Sequence, residues 1–280
     1  TLKDEDKDKL VQDALELKKD QETVQDKNLL PTLTLEDIPK TIEYVSHNKS
    51  KIGEVPVFWF EQPTNGLTHL RIKCNIQHLP DKLRMLVPAF CEFLSEIGTK
   101  NYDYSTFHTL IHSTTSGIVV QNDSFSLSAD LDDSQNNIML STAFLDKNID
   151  KAMTYLSELI ATPNFDDSSY LSDLIKTSSV EIANNIGNSS LDYGLSFSNS
   201  GLKKFAKTNE KLASDIFICQ LGAEVLKTSN PKGIFNDLIF NLTDLAAHIF
   251  REENMSFAVT GDKKKFNLVQ LKLEMIMNAL

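Results

Sequence analysis

Two histidines one helical turn apart, His108 and His112, are the residues in this chain whose spacing most suggests chemistry. At i and i+4 both rings share one helix face and can chelate one zinc ion. Hydrolysis then needs a further ligand and a carboxylate to polarise the metal-bound water. Here Thr109 stands where a catalytic Glu would follow the first histidine, and no spacing supports Asp130 or Glu181 as the third ligand. The pair reads as two exposed histidines. His78 reads as a loop residue ahead of a helix that begins at Pro80, since proline is favoured at the first helical position. Nucleophilic chemistry finds no better footing. No Gly-x-Ser-x-Gly elbow and no phosphate-cradling glycine loop occurs. Cys91 sits in an apolar helical stripe, where a thiol is inert. Asn188-Ser189-Ser190 matches a glycosylation acceptor pattern, but no secretory context accompanies it.

Composition narrows the classes further. The chain has 280 residues, 41% hydrophobic and 24% charged, enough for a large core. Its net charge of −11 argues against nucleic acid as a partner, because phosphate binding needs a basic face, and suits basic partners. No apolar run approaches the roughly 20 residues that span a bilayer, so no membrane partner is expected. Cys74, Cys91 and Cys219 are odd in number and widely spaced, as in reduced intracellular proteins. The charged N-terminus is no signal peptide, and a chain opening on Thr1 reads as part of something longer or as processed.

The elements that must position any site follow from periodicity. Residues 2 to about 27 form a polar helix whose thin apolar face (Leu10, Leu15, Leu17) needs a partner surface. Residues 29–40, bracketed by Pro31 and Pro39, read as an extended connector. Strands are expected at 54–61 and 67–76, joined as an antiparallel hairpin at Asn65-Gly66. In the second, Thr68, Leu70, Ile72, Cys74 and Ile76 face inward, and His69, Arg71, Lys73 and Asn75 face outward. A helix over 80–97, ended by Gly98, carries Leu83, Leu86, Val87, Phe90, Phe93, Leu94 and Ile97 on one stripe. A shorter helix covers 104–112. Strands at 118–131 and 137–145 meet at the polar turn 132–136. Helices follow at 149–161 and 166–186, a small polar loop with a helical turn or two at 187–201, more helix to about 226, and a turn at 228–233. A helix over 235–251, a strand over 255–261 and a helix over 267–280 complete the order. This order predicts an α+β fold, a mainly antiparallel sheet with helices packed on one face, preceded by a helical arm.

Five segments in this order, LPTLTLEDIP (30–39), VPVFWFEQPTNGLTHLRI (55–72), LPDKLRMLVPAFCEFLSEIGTKNYDYSTF (79–107), TTSGI (114–118) and FREENMSFAVTGD (250–262), resemble the presequence-degrading branch of the pitrilysin, or insulinase-like, zinc metallopeptidases. The resemblance implies two clam-shell halves, each of two related α+β domains, joined by a helical arm. This chain would hold the end of the arm (1–40), the third domain (41–265) and a helix (266–280) leading toward a fourth. The family's inverted zinc motif, His-x-x-Glu-His, falls on Ala89 to Phe93. Glu92 keeps the carboxylate, while Ala89 and Phe93 replace both histidines, and Glu181 is a candidate relic of the downstream ligand. The resemblance thus implies zinc in the parent enzyme but no metal or catalytic residue in this segment. It also implies a chamber for short unfolded peptides, basic presequences among them, in the mitochondrial matrix. The catalytic N-terminal half and the fourth domain of the same protein would be its partners. A catalytically dead structural subunit, like the core proteins of a respiratory complex, is the alternative.

Overall fold

The computed structural model describes residues 3–23, 31–41, 44–126, 134–202, 211–227 and 231–280, and the chain divides into two compact units, 1–44 and 45–280. The first unit contains helix α1 (Asp4–Glu22), all of whose side chains are exposed. Its start is acidic (Asp4, Glu5, Asp6), which complements the helix dipole. A short 3-10 turn follows at Leu35–Asp37. There the Asp37 carboxylate accepts from the Thr34 amide at 2.7 Å and its hydroxyl at 2.9 Å, which holds the Asp37 pKa down.

The second unit is built on six strands among the described residues: β1 (Asn48–Ile52), β2 (Val55–Glu61), β3 (Leu67–Asn75), β4 (Val119–Ser126), β5 (Ser134–Leu145) and β6 (Met255–Gly261). Their order across the sheet is β1-β2-β6-β3-β5-β4. Of these pairings only β2–β6 is parallel, so the mainly antiparallel α+β expectation holds. The expected hairpin of 54–61 with 67–76 does not form. Asn65 and Gly66 do make a turn, with φ of 53° and 83°, but β6 lies between the two strands, parallel to β2 and antiparallel to β3. Alternation fixes which face of a strand is buried and says nothing about its neighbours. The hairpin that does form is β1–β2, turning at Gly53 (φ 57°) and tied by a 2.6 Å bond from Trp59 Nε1 to Ser50 Oγ. Its first strand, NKSKI, is polar and buries only Ile52, which is why periodicity misses it.

One sheet face is buried. Val57, Trp59, Leu70, Ile72, Cys74, Ile138, Leu140, Phe257 and Val259 point into a core closed by helices. These are α2 (Asp81–Arg84), α3 (Val87–Glu96), α4 (Tyr104–Thr114), α5 (Ile149–Ala161), α6 (Ser168–Asn188), α7 (Ser190–Ser200), α8 (Lys211–Lys227), α9 (Pro231–Ile249) and α10 (Phe266–Ala279). The single helix expected over 80–97 is two, α2 and α3. Pro88 cannot donate to the carbonyl four residues back, so it sits in the first turn of a new helix. Pro80 is the cap of α2 and not its first residue. The loop expected at 187–201 is largely helix α7. Its small residues have weak propensity, but Tyr193 is buried and its hydroxyl donates to Asp215 on α8 at 2.6 Å, a tertiary anchor that local pattern does not reveal. Of the turn expected at 228–233, Pro231 to Gly233 instead open α9, and 228–230 lie outside the described residues. Of the strand over 118–131, residues 127–131 also lie outside them. Residues 134–136 of the expected turn belong to β5. The terminal helix α10 packs against α5 within the same compact unit, with Lys272 Nζ 2.6 Å from Asp150 Oδ1.

Gly98 does not cap α3 in a left-handed conformation. The helix ends at Glu96 with extended Ile97, and Gly98 is needed for space. A Cβ there would lie 2.8 Å from Asp103 C and Tyr104 N and closer still to the Tyr102 carbonyl. Gly98→Ala should therefore force backbone apart and cost about 1–3 kcal/mol, the range of overpacking. Urea unfolding checks this, and a midpoint equal to wild type would contradict it.

Candidate functional site

Within the second unit, the other sheet face carries no helix layer among the described residues and forms a groove of about 890 Å³. Alternate residues of the central strands point toward it, as the pleat requires. From β3 come His69 and Arg71, with Lys73 next in the same row. β5 contributes Ser141 and Ala143, β6 contributes Ala258 and Thr260, and β2 contributes Phe60. Register sets the pattern. Arg71 lies between Ser141 and Ala258, and His69 between Ala143 and Thr260. Small side chains on both flanks make the floor concave. Phe60 and Phe58 form an aromatic rim with His47, whose ring centroid is 5.3 and 5.7 Å from theirs. Lys73 Nζ rests 5.2 Å from the Phe125 ring centroid and donates to Gln135 Oε1 at 3.4 Å. Sequence pattern alone assigns His69, Arg71 and Lys73 to the outward face, but not the groove, because its other lining residues come from strands distant in sequence.

On the helix side, Ala89 and Phe93 on α3 are packed into the core, and Glu92 between them is half-buried. Neither a methyl nor a phenyl group has a lone pair for a metal, so the residues at this position do not fit zinc. Burial, foremost, holds Glu92 above the usual carboxylate range. A hydrogen bond with Ser178 opposes this, and the charges of Asp215, Glu181 and Glu96 add to it. Glu181 on α6 therefore stands within electrostatic reach of Glu92, exposed at the surface. Ser178 and Asp215, which complete this polar group, escape sequence reasoning because α6 and α8 meet α3 only in the folded chain. Burial first, and then the bond to Asp215, push the Tyr193 phenol up to about 12.

His108 and His112 occupy one face of α4 with ring centroids 5.7 Å apart. Their nearest acidic neighbour is not one of the two considered from sequence. Glu96 Oε2 lies 3.5 Å from His108 Nε2, Glu181 acts through its charge on Glu92, and Asp130 lies outside the described residues. Among the described residues no group of three His, Cys, Asp or Glu side chains converges as metal ligands. His78 lies in the loop before α2, its Nε2 3.1 Å from the His248 carbonyl oxygen. Cys74 and Cys91 are buried in the core, and burial pushes the Cys74 thiol up to about 12 and the Cys91 thiol higher.

The Glu92 environment has a stability consequence. Its folded pKa is raised, so the folded state favours the protonated acid. That contribution is complete below the unfolded carboxylate range and is lost as pH rises through the folded value. Glu92→Gln keeps the shape without the charge. It is expected to raise the urea midpoint at pH 7, with the advantage fading below about pH 4, where the native acid is protonated in both states. A lower midpoint at pH 7 would contradict this reading.

Comparison with known proteins places these features in a family. A family model described as peptidase M16, subfamily C, associated matches residues 1–216. The mitochondrial presequence protease of Danio rerio is 30% identical over 276 residues, covering 98% of this chain and 26% of its own length. That of Xenopus tropicalis is 31% identical over 188 residues, 67% of this chain and 18% of its own. The chain thus spans about a quarter of the Danio rerio relative. Among solved structures, a peptidase M16 inactive domain from Pseudomonas fluorescens aligns with a TM-score of 0.53 at 16% identity, over 84% of this chain and 51% of that one. A protease from Helicobacter pylori aligns with a TM-score of 0.51 at 13% identity, over 82% and 51%. These structural likenesses carry the fold: one layer of helices on one face of a mixed sheet. The family model covers more than three quarters of the chain, and by that match the chain belongs to the family of domains associated with subfamily C of the M16 peptidases.

Proposed function

We propose that this chain is a non-catalytic domain of a zinc metalloendopeptidase, and that its open sheet face forms part of the wall of a chamber holding short unfolded peptides. The observation that carries the reading is the pairing of a motif helix with no histidine at Ala89 or Phe93 and a concave sheet face that carries no helix layer among the described residues of 45–280. Ala89 and Phe93 cannot ligate metal, while about 890 Å³ of groove lies on the opposite side of the sheet. A sheet face without helices needs some other cover or stays wet, and the wall of an enclosed chamber is such a face. The relatives named mitochondrial presequence protease support a parent enzyme that degrades cleaved targeting sequences, with zinc held by a catalytic half elsewhere in the protein. They support a mitochondrial location, and we extend this to the matrix. The catalytic half and a fourth domain of the same protein are the proposed partners, closing on this face.

The groove is the place to look for peptide. With a photoreactive benzoylphenylalanine in place of Phe60, irradiation with a fluorescent presequence peptide should label the chain. The same group in place of Phe240, exposed on the helix side, should not. Equal labelling at both positions, or labelling at Phe240 alone, would contradict the reading.

A further inference from the structure

The groove has one blind end. Its lining stops at Arg71, Ser141 and Ala258, which lie side by side on β3, β5 and β6. The next residues of the same rows, Lys73, Met139 and Ser256, do not line it. Lys73 leans away from Arg71, with its Nζ over the Phe125 ring and bonded to Gln135, further along β5 than Met139. Asn137, which alternation puts on the same side of the sheet between Gln135 and Met139, is fully buried, so the face is closed there. In the other direction the rows run through His69, Ala143 and Thr260 toward the exposed Leu67 and Leu145, and the groove stays open.

The blind end is rich in hydrogen-bond donors and has no negative charge. Arg71 is exposed, and among the described residues no partner engages its side chain. The Ser141 and Thr260 hydroxyls are equally unengaged there. The Ser116 hydroxyl accepts from the Ala143 amide at 3.1 Å, which leaves its own hydrogen to donate. His69 stands about 6.8 Å from Arg71 along β3, the two-residue step of a strand. Carboxylates outnumber cations 39 to 28 over the sequence, yet among the described residues none lines the groove.

A free guanidinium on a floor of small side chains suits a carboxylate, which its planar fork binds through two parallel hydrogen bonds. A basic peptide poor in acidic residues still carries one such group, the α-carboxylate at its C-terminus. An internal segment is poorly served by this spot. Its chain would have to continue beyond Arg71 over the Lys73–Phe125 contact, and its basic side chains would meet a like charge. A chain end has nothing to follow it. The preceding residues can then run along β3 toward His69 and the open end, with apolar side chains against Phe60 and Val45 and basic ones turned to solvent.

We propose that the blind end of the groove is a subsite for the free C-terminal carboxylate of a peptide, held by Arg71 with the Ser141 hydroxyl beside it. The proposal rests on the open face being a peptide-holding wall and adds which part of the peptide that wall holds.

Three decapeptides of one Arg- and Leu-rich sequence, labelled with fluorescein at the N-terminus, test it on the full 280-residue chain by anisotropy. One ends in a free acid, one in an amide, and one in an amide with a Glu at its centre. The free acid is expected to bind about tenfold tighter than the plain amide at low salt, with the margin shrinking in about 0.5 M salt. The central Glu should give no comparable gain. Arg71→Gln should bring the free acid to the affinity of the amide and leave the amide unchanged, with a urea midpoint equal to wild type to show that the fold is intact. Equal affinities of acid and amide, a margin that survives Arg71→Gln, or a central Glu as effective as the free end would overturn the proposal. Equal affinities with continued photolabelling at Phe60 would leave the peptide wall standing and remove only its end subsite. No capture of any peptide at Phe60 would remove the wall reading and this proposal together.

Discussion

Strand β6 holds the domain together from the middle of the sheet. It comes more than 100 residues after β5 in sequence, yet it separates β2 from β3, hydrogen-bonding to both. Its inner residues Met255, Phe257 and Val259 are buried, with Phe257 directly opposite Ile72 on β3 and Val57 on β2. Without β6, β2 and β3 would each lose one of their two ladder partners and a row of apolar side chains would meet water, each a cost of several kcal/mol. The helices between β5 and β6 are thereby obliged to cross one face of the sheet and return. That obligation is the reason one face is buried and the other is free to form a groove.

Much of this is legible in the chain. The alternation of Thr68, Leu70, Ile72 and Cys74 marks the inner face of β3, and the apolar stripes of 149–161 and 255–261 give elements with the observed bounds. What is not legible shares one physical cause: it depends on partners distant in sequence. Alternation assigns 54–61 and 67–76 to strands, and the turn between them pairs them with each other, since nothing local to either tells that β6 lies between them. The polar edge strand β1 carries almost no hydrophobic signal. Helix α7 is held by Tyr193 bonding to Asp215, a contact made across 22 residues.

The same division applies to the site. Residue types alone tell that Ala89 and Phe93 cannot ligate a metal. They do not tell that Ser178 and Asp215 gather around Glu92, or that Glu96 becomes the neighbour of His108. A half-buried carboxylate whose charged neighbours are other carboxylates is poorly arranged for stability. On the opposite face, His69, Arg71 and Lys73 are each assignable to the outer row. Their prominence comes from the small residues of β5 and β6 beside them, which only the folded sheet brings into register. The carboxylate cluster on one face and the groove on the other are the features on which the proposed non-catalytic reading rests.

The non-catalytic character of the chain is tested most directly by the metal content of the purified 280-residue protein, measured by atomic emission alongside cleavage of a fluorogenic basic peptide. The expected result is no zinc above background and no cleavage. One zinc per chain with cleavage, both lost in His112→Ala, would contradict the central claim and make the α4 histidines the site.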